Sequence, residues 1–246
     1  MSISLKRARA IFVKDYKEFS RNYAISISLL FPIILALLFR SAGPLLFRGV
    51  NPSLNGAFAF GLILNPSFVL LTCLVQAYLI AEEKERNTLR SLMMTPATTM
   101  DVLIGKSTLV LIMSAVALAI ATFVIGYEPA SIWAFVAAIF LSIILYIAAG
   151  TICGLFSKTL LEASLSILPV AFVFTAAPWG AFLEDDFPIF KVLDYMPSSQ
   201  LVHLLGIRNI GFTMEEFFNP LLIILAWTVV LTIVSVVLYQ RRLKDE

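Results

Sequence analysis

Residues 56–86 read GAFAFGLILNPSFVLLTCLVQAYLIAEEKER. The stretch is apolar as far as Ala81, and then Glu82, Glu83, Lys84, Glu85 and Arg86 arrive together. About 20 apolar residues in a helix cross a hydrocarbon core of about 30 Å. Gly56–Ala81 is therefore long enough to cross a bilayer, and the burst of charge marks its return to water. Asn65-Pro66 removes a backbone donor inside the run and predicts a kink there.

The rest of the chain repeats this pattern. Its 246 residues are 60% hydrophobic and 14% charged, with a mean hydropathy of +0.93. Soluble domains carry about 25% charged residues, so most of this chain needs the bilayer as its solvent. Six segments are long and apolar enough to span: Tyr23–Phe39, Gly56–Ala81, Ser107–Gly126, Ala130–Phe156, Leu160–Phe182 and Pro220–Tyr239. Pro169 and Pro178 predict breaks in the fifth. The expected fold is an all-α integral membrane protein. It has an interfacial amphipathic helix over 1–22, a six-helix transmembrane domain over 23–239 and a cytosolic tail over 240–246.

Charge sets the orientation. With both termini in the cytoplasm, only Arg40, Arg48, Lys191 and Arg208 of the 18 Lys and Arg residues fall outside. The reversed topology would place the other fourteen there. The 82–99 segment thus faces the cytoplasm and 183–219 faces out. The first 22 residues are polar and basic, and the run after them lacks a small-residue cleavage pattern, so no cleavable signal peptide is expected. A net charge of +2 is too small to point to a nucleic-acid partner.

Charges inside the spans are scarce. Lys106 and Glu162 lie near span ends and are expected to reach the interface. This scarcity argues against ion coupling within the subunit. Cys73 and Cys153 sit in apolar runs and read as small hydrophobes, with no metal or disulfide spacing. Over Ser4–Asn22, Leu5, Ala8, Phe12, Tyr16 and Phe19 recur on one helix face beside many basic residues, the pattern of a helix lying in the membrane interface. The long outer segment carries Glu184, Asp185 and Asp186 and then much apolar material, as expected for short helices that dip back toward the membrane. Its acidic trio reads as a solvated loop. His203, the single histidine, has no acidic or nucleophilic partner at a recognisable spacing.

No nucleophile elbow, zinc motif or other catalytic constellation occurs, so no catalytic, cofactor or metal residues are assigned. Gly105-Lys106-Ser107 ends like a phosphate loop, but that loop needs glycine at position 100, where Met100 stands. ATP is not expected to bind this chain by that route.

Between the second and third spans, Asn87 or Thr88 can cap a short helix from Thr88 to Met94, with Leu89, Leu92 and Met93 on one side. Thr95-Pro96 ends it, and Thr98 can cap the next span. A short helix lying across the membrane surface, clamped between two spans, is suited to receive a push and pass it to both.

The order Glu82-Glu83-Lys84-Glu85-Arg86-Asn87-Thr88-Leu89, Leu92, Pro96 and Gly105-Lys106 resembles the signature of ABC-2 type exporter permeases. Asn87 departs from the family's usual glycine but tolerates the same left-handed backbone. Tyr195-Met196-Pro197 followed by His203, Arg208 and Gly211 resembles the family's re-entrant stretch before the last span. Residues 14–22 followed by Leu30-Phe31-Pro32 resemble its interfacial helix and first span.

The resemblance implies a permease subunit of an ATP-binding cassette exporter in a prokaryotic plasma membrane, not itself an enzyme. It implies two copies of a separate ATPase subunit that hold ATP and Mg, and a second six-span permease, identical or not. Glu82, Glu83, Glu85, Thr88, Leu89 and Leu92 would form the docking surface, and Pro197, Arg208 and Gly211 would mark the external re-entrant motif. The substrate would be amphipathic: a drug, peptide, lipid-like molecule or glycan. The alternatives are an ATP-independent carrier or channel, and a membrane anchor or sensor subunit.

Overall fold

The computed structural model describes residues 4–19, 23–46, 52–86, 98–183, 187–206 and 214–245. The 184–186 acidic trio, residues 87–97 and residues 207–213 lie outside them. The described residues are helical with no strand. In chain order they form α1 (Leu5–Phe19), α2 (Tyr23–Leu46), α3 (Pro52–Ser67), a π-helical segment (Phe68–Cys73), α4 (Leu74–Glu85), α5 (Thr99–Ile125) and α6 (Ile132–Phe156). After these come α7 (Leu160–Ser166), α8 (Leu168–Ala176), two 3-10 helices (Ala177–Phe182 and Pro188–Tyr195), α9 (Pro197–Gly206) and α10 (Met214–Asp245).

Six helical stretches are long and apolar enough to cross a membrane: Ile25–Ala42, Phe60–Glu85, Thr99–Ile125, Ile132–Phe156, Leu160–Gly180 and Glu216–Arg242. The protein is an integral membrane protein built from these spans. The second span is the hub of the bundle. In its most apolar stretch 78% of the residues are buried, against 22% in the first, fifth and sixth spans. Those outer spans turn Ile27, Leu30, Leu37, Phe172, Leu222 and Ile233 outward, as helices solvated by lipid do.

The kink expected at Asn65-Pro66 takes a definite form. Pro66 has no N–H to donate, and the helix directly after it widens into the π-helical turn Phe68–Cys73. Ser67 Oγ donates back to the Ile63 carbonyl at 2.5 Å. The wide turn points Thr72 at Ser114, with their hydroxyls 2.9 Å apart, and stacks Phe68 on Tyr146 with ring centroids 5.2 Å apart. The fifth span breaks where its prolines stand. Pro169 lies in the first turn of α8 and Pro178 in the first turn of the 3-10 helix.

The second and fourth spans approach each other closely. A methyl built on Gly154 would lie 2.8 Å from the Ala77 carbonyl oxygen, and one on Gly150 would overlap the Cys73 carbonyl. Gly150-Thr151-Ile152-Cys153-Gly154 is thus a small-xxx-small seam of the kind that lets membrane helices touch backbone to backbone. Gln76 sits on this seam and donates to Thr151 Oγ1 at 3.1 Å. Cys73 and Cys153 are buried and unbridged, as core hydrophobes are. Gly154→Leu should force the two spans apart and cost roughly 1–3 kcal/mol, read as a lowered thermal midpoint of the purified protein. An unchanged midpoint would mean that the seam is not closed.

At the end of the bundle away from α1, Tyr127 lies just past the third span. Burial pushes its phenol up to about 12, so it stays neutral and donates to the Leu205 carbonyl at 2.7 Å. Trp227 Nε1 donates to the Tyr195 carbonyl at 2.9 Å, which ties the second 3-10 helix to the sixth span. His203 lies 3.6 Å from Asp194, nine residues earlier and on a different helix. Nine residues is not a helical repeat, so no recognisable spacing announces this contact; the turn at Met196 between the two helices brings the residues together.

Candidate functional site

The charges that end the second span are distributed one by one to different elements. Glu83 turns inward from the last turn of α4. Its Oε1 lies 3.0 Å from Lys106 Nζ on α5 and 3.7 Å from Lys14 Nζ on α1. Lys106 also reaches Asp15 Oδ2 at 3.1 Å, and Lys14 stands 3.9 Å from Asp15 Oδ1. Asp15 and Lys106 are each 2% exposed and Glu83 is 4% exposed. The buried part of the group has two carboxylates and one ammonium, and the half-exposed Lys14 completes it, so the formal charges of the four cancel. Tyr239 of the sixth span, 1% exposed, packs with Ile80, Leu103 and Leu155 in the apolar layer beside it.

Lys106 was expected to reach the interface. It stays buried because two carboxylates from two other helices already neutralise it, and ion pairs of this kind are how charge is kept below the surface of a membrane bundle. Its partner Asp15 lies 91 positions away, so no local spacing reveals the pair.

The neighbouring charges hold other spans. Lys84 Nζ donates to the Leu155 carbonyl at 2.5 Å, one of the last carbonyls of α6, where a helix end favours a cation. Glu85 Oε2 accepts the Leu160 N–H at 2.9 Å, one of the first donors of α7, where a helix start favours an anion. Glu82, largely covered, pairs with the exposed Arg86 at 2.8 Å. One turn of α4 therefore contacts α1, α5, α6 and α7.

The same end carries a capping box and a second, one-sided helix cap. Thr98 Oγ1 accepts from Asp101 N at 3.1 Å while Asp101 Oδ2 accepts from Thr98 N at 2.9 Å. Asp101 Oδ1 also accepts the Ser4 N–H at 2.8 Å, and Oδ2 lies 3.0 Å from Arg7 Nε. At the start of α7, Thr159 Oγ1 caps the helix by accepting the Glu162 N–H at 3.2 Å, and Glu162 Oε2 accepts the Lys158 N–H at 2.6 Å. Glu162 is exposed, as expected.

The start of the third span is thus pinned to the start of α1. A methyl on Gly105 would meet the Ala8 carbonyl at 2.8 Å, so α1 lies tightly on α5. The face that α1 buries is Ala8, Ile11 and Asp15, not the whole expected stripe, for Leu5 is 82% and Tyr16 54% exposed. The small residue Ala8 opposite Gly105 selects which face lies inward. Leu5 and Tyr16 remain on the outer side, with Phe12 and Tyr16 stacked at 6.4 Å.

Of the residues expected to dock a partner, Glu82, Glu83 and Glu85 lie in this turn of α4. Thr88, Leu89 and Leu92 lie outside the described residues. Pro197 opens α9 and is buried, whereas Arg208 and Gly211 lie outside the described residues. Asp15, Lys106 and Gln76, which the sequence reading did not single out as site residues, turn out to be central to the bundle.

Comparison with known families gives one finding that covers most of the chain: a family described as ABC-2 family transporter protein matches residues 46–237. A search of curated proteins finds no match.

Proposed function

The chain belongs to the ABC-2 transporter family, a membrane permease of an ABC-type transporter, and from that premise we propose that the turn Glu82–Arg86 is where a separate ATPase subunit delivers its stroke. The supporting observation is the distribution of contacts. Glu83 grips α1 and α5, Lys84 grips the end of α6, and Glu85 grips the start of α7. A displacement of the segment after Arg86 pulls on all four together.

In this reading the end of the bundle holding α1 is cytoplasmic, in the plasma membrane of a prokaryote. The ATPase docks on 82–92 through Glu82, Glu85, Thr88, Leu89 and Leu92, while Glu83 anchors the segment from within. Two such ATPases bind ATP and Mg and close on each other. Two six-span permeases, identical or not, line the path and export an amphipathic substrate. In this reading α1 lies in the membrane interface, which the exposed Leu5 and Tyr16 support.

The test is co-purification. Tagged permease, solubilised gently from its native membrane, should carry with it a chain bearing a GxxxxGK[ST] loop, and ATP hydrolysis should respond to reconstitution in lipid. Purification without such a chain, together with substrate movement that needs no ATP, would favour a carrier and overturn the proposal.

A further inference from the structure

A cleft of about 280 Å³ lies between the second span, the fifth span and α9. Asn65, Pro66, Phe172, Thr175, Trp179 and Val202 are among the residues that line it, and none of its described lining residues is ionisable. Its volume is near the lower end for ligand pockets, about 300–1,000 Å³, so it suits one ring or a short chain. Phe172 and Trp179 are 76% and 47% exposed, so the cleft opens along the outer side of the fifth span.

One wall of the cleft has unmet hydrogen-bonding capacity. Asn65 is 3% exposed, and its Nδ2 reaches only the Ser198 carbonyl, at 3.5 Å. Among the described residues its Oδ1 has no partner, and neither do the hydroxyls of Ser198 and Ser199, which stand at the start of α9 outside the cleft lining. Buried polar atoms are normally satisfied, so an orphan acceptor beside an apolar cleft asks for a donor. Among the described lining residues a cation would find no carboxylate and an anion no basic group. A plain alkane would leave Asn65 Oδ1 unmet.

We propose that this cleft binds an uncharged, hydroxyl-bearing apolar molecule, whose O–H donates to Asn65 Oδ1 while its body lies against Phe172, Trp179 and Val202. The site rests on the permease reading only for counting this ligand class as cargo; the binding itself needs no ATPase.

The test uses the full chain in lipid nanodiscs, without ATPase or nucleotide. Trp133→Phe with Trp227→Phe leaves Trp179 as the single tryptophan of the three, and its emission reports the cleft. Titration with 1-decanol should give a saturable shift at a concentration about tenfold lower than decane needs, the worth of one hydrogen bond. Asn65→Leu should abolish that preference while leaving the response to decane. Ala176→Leu, which fills the cleft from the fifth span, should remove both responses and serves if Asn65→Leu fails to fold. Equal responses to alcohol and alkane, or an alcohol preference that survives Asn65→Leu, would overturn the site and mean that only water meets Asn65. Either result stands apart from whether an ATPase docks at the other end.

Discussion

Lys106→Met is expected to be the most damaging single substitution in the chain. It leaves Asp15 and Glu83 as two buried carboxylates whose main remaining cation is the half-exposed Lys14. Breaking a buried ion pair from one side costs about 3–5 kcal/mol, because the other charge is stranded. In a chain of this size that lowers the thermal midpoint by roughly 10 °C. The triple variant Asp15→Asn, Glu83→Gln, Lys106→Met removes the three buried charges, leaves Lys14 with its access to water, and should recover most of the midpoint, since a neutral replacement of a buried pair is often nearly free. It should still transport poorly, because α1, α4 and α5 are then no longer tied by charge. If Lys106→Met melts like the unaltered protein, the buried cluster is not part of the folded state. If the triple variant transports normally, the cluster stabilises but does not transmit.

The second large effect is on coupling. Leu89→Asp with Leu92→Asp places two carboxylates in the apolar part of the proposed docking surface. The protein should insert and melt normally, because the buried anchors Glu83, Lys106 and Asp15 are untouched. Binding of the ATPase should fall by about a hundredfold or more, since truncating or charging central contacts costs about 2–4 kcal/mol. Transport should then fall to background while the isolated ATPase keeps its own turnover. Partner binding and transport at the unaltered level would place the docking surface elsewhere.

The sequence made the spans legible because crossing a bilayer is a demand on bulk apolar length, which any window of the chain displays. Pro66, Pro169 and Pro178 located the irregular turns for an equally local reason, the missing N–H. What escaped the sequence depends on pairs far apart in the chain. Lys106 read as a surface lysine because Asp15 and Glu83 are on other helices. The inward face of α1 could not be told from its stripe, since Gly105 opposite Ala8 decides it. Gly150 and Gly154 stood in view at the four-residue spacing that marks close helix contact, and that signal could have been read. The charged end of the second span at Glu82–Arg86 was legible from charge density, but the separate destinations of Glu83, Lys84 and Glu85 were not, because each partner is a backbone or side-chain group of another element.

The central claim is that the 82–92 segment meets an ATPase. A photo-crosslinking amino acid at position 89, in native membranes, tests it most directly, with the same group at position 128 beyond the far end of the third span as the comparison. The account predicts an ultraviolet-dependent adduct at 89 whose peptides include a GxxxxGK[ST] loop, and none of that kind at 128. An ATPase adduct at 128, or its absence at 89 in membranes that still transport, would contradict it.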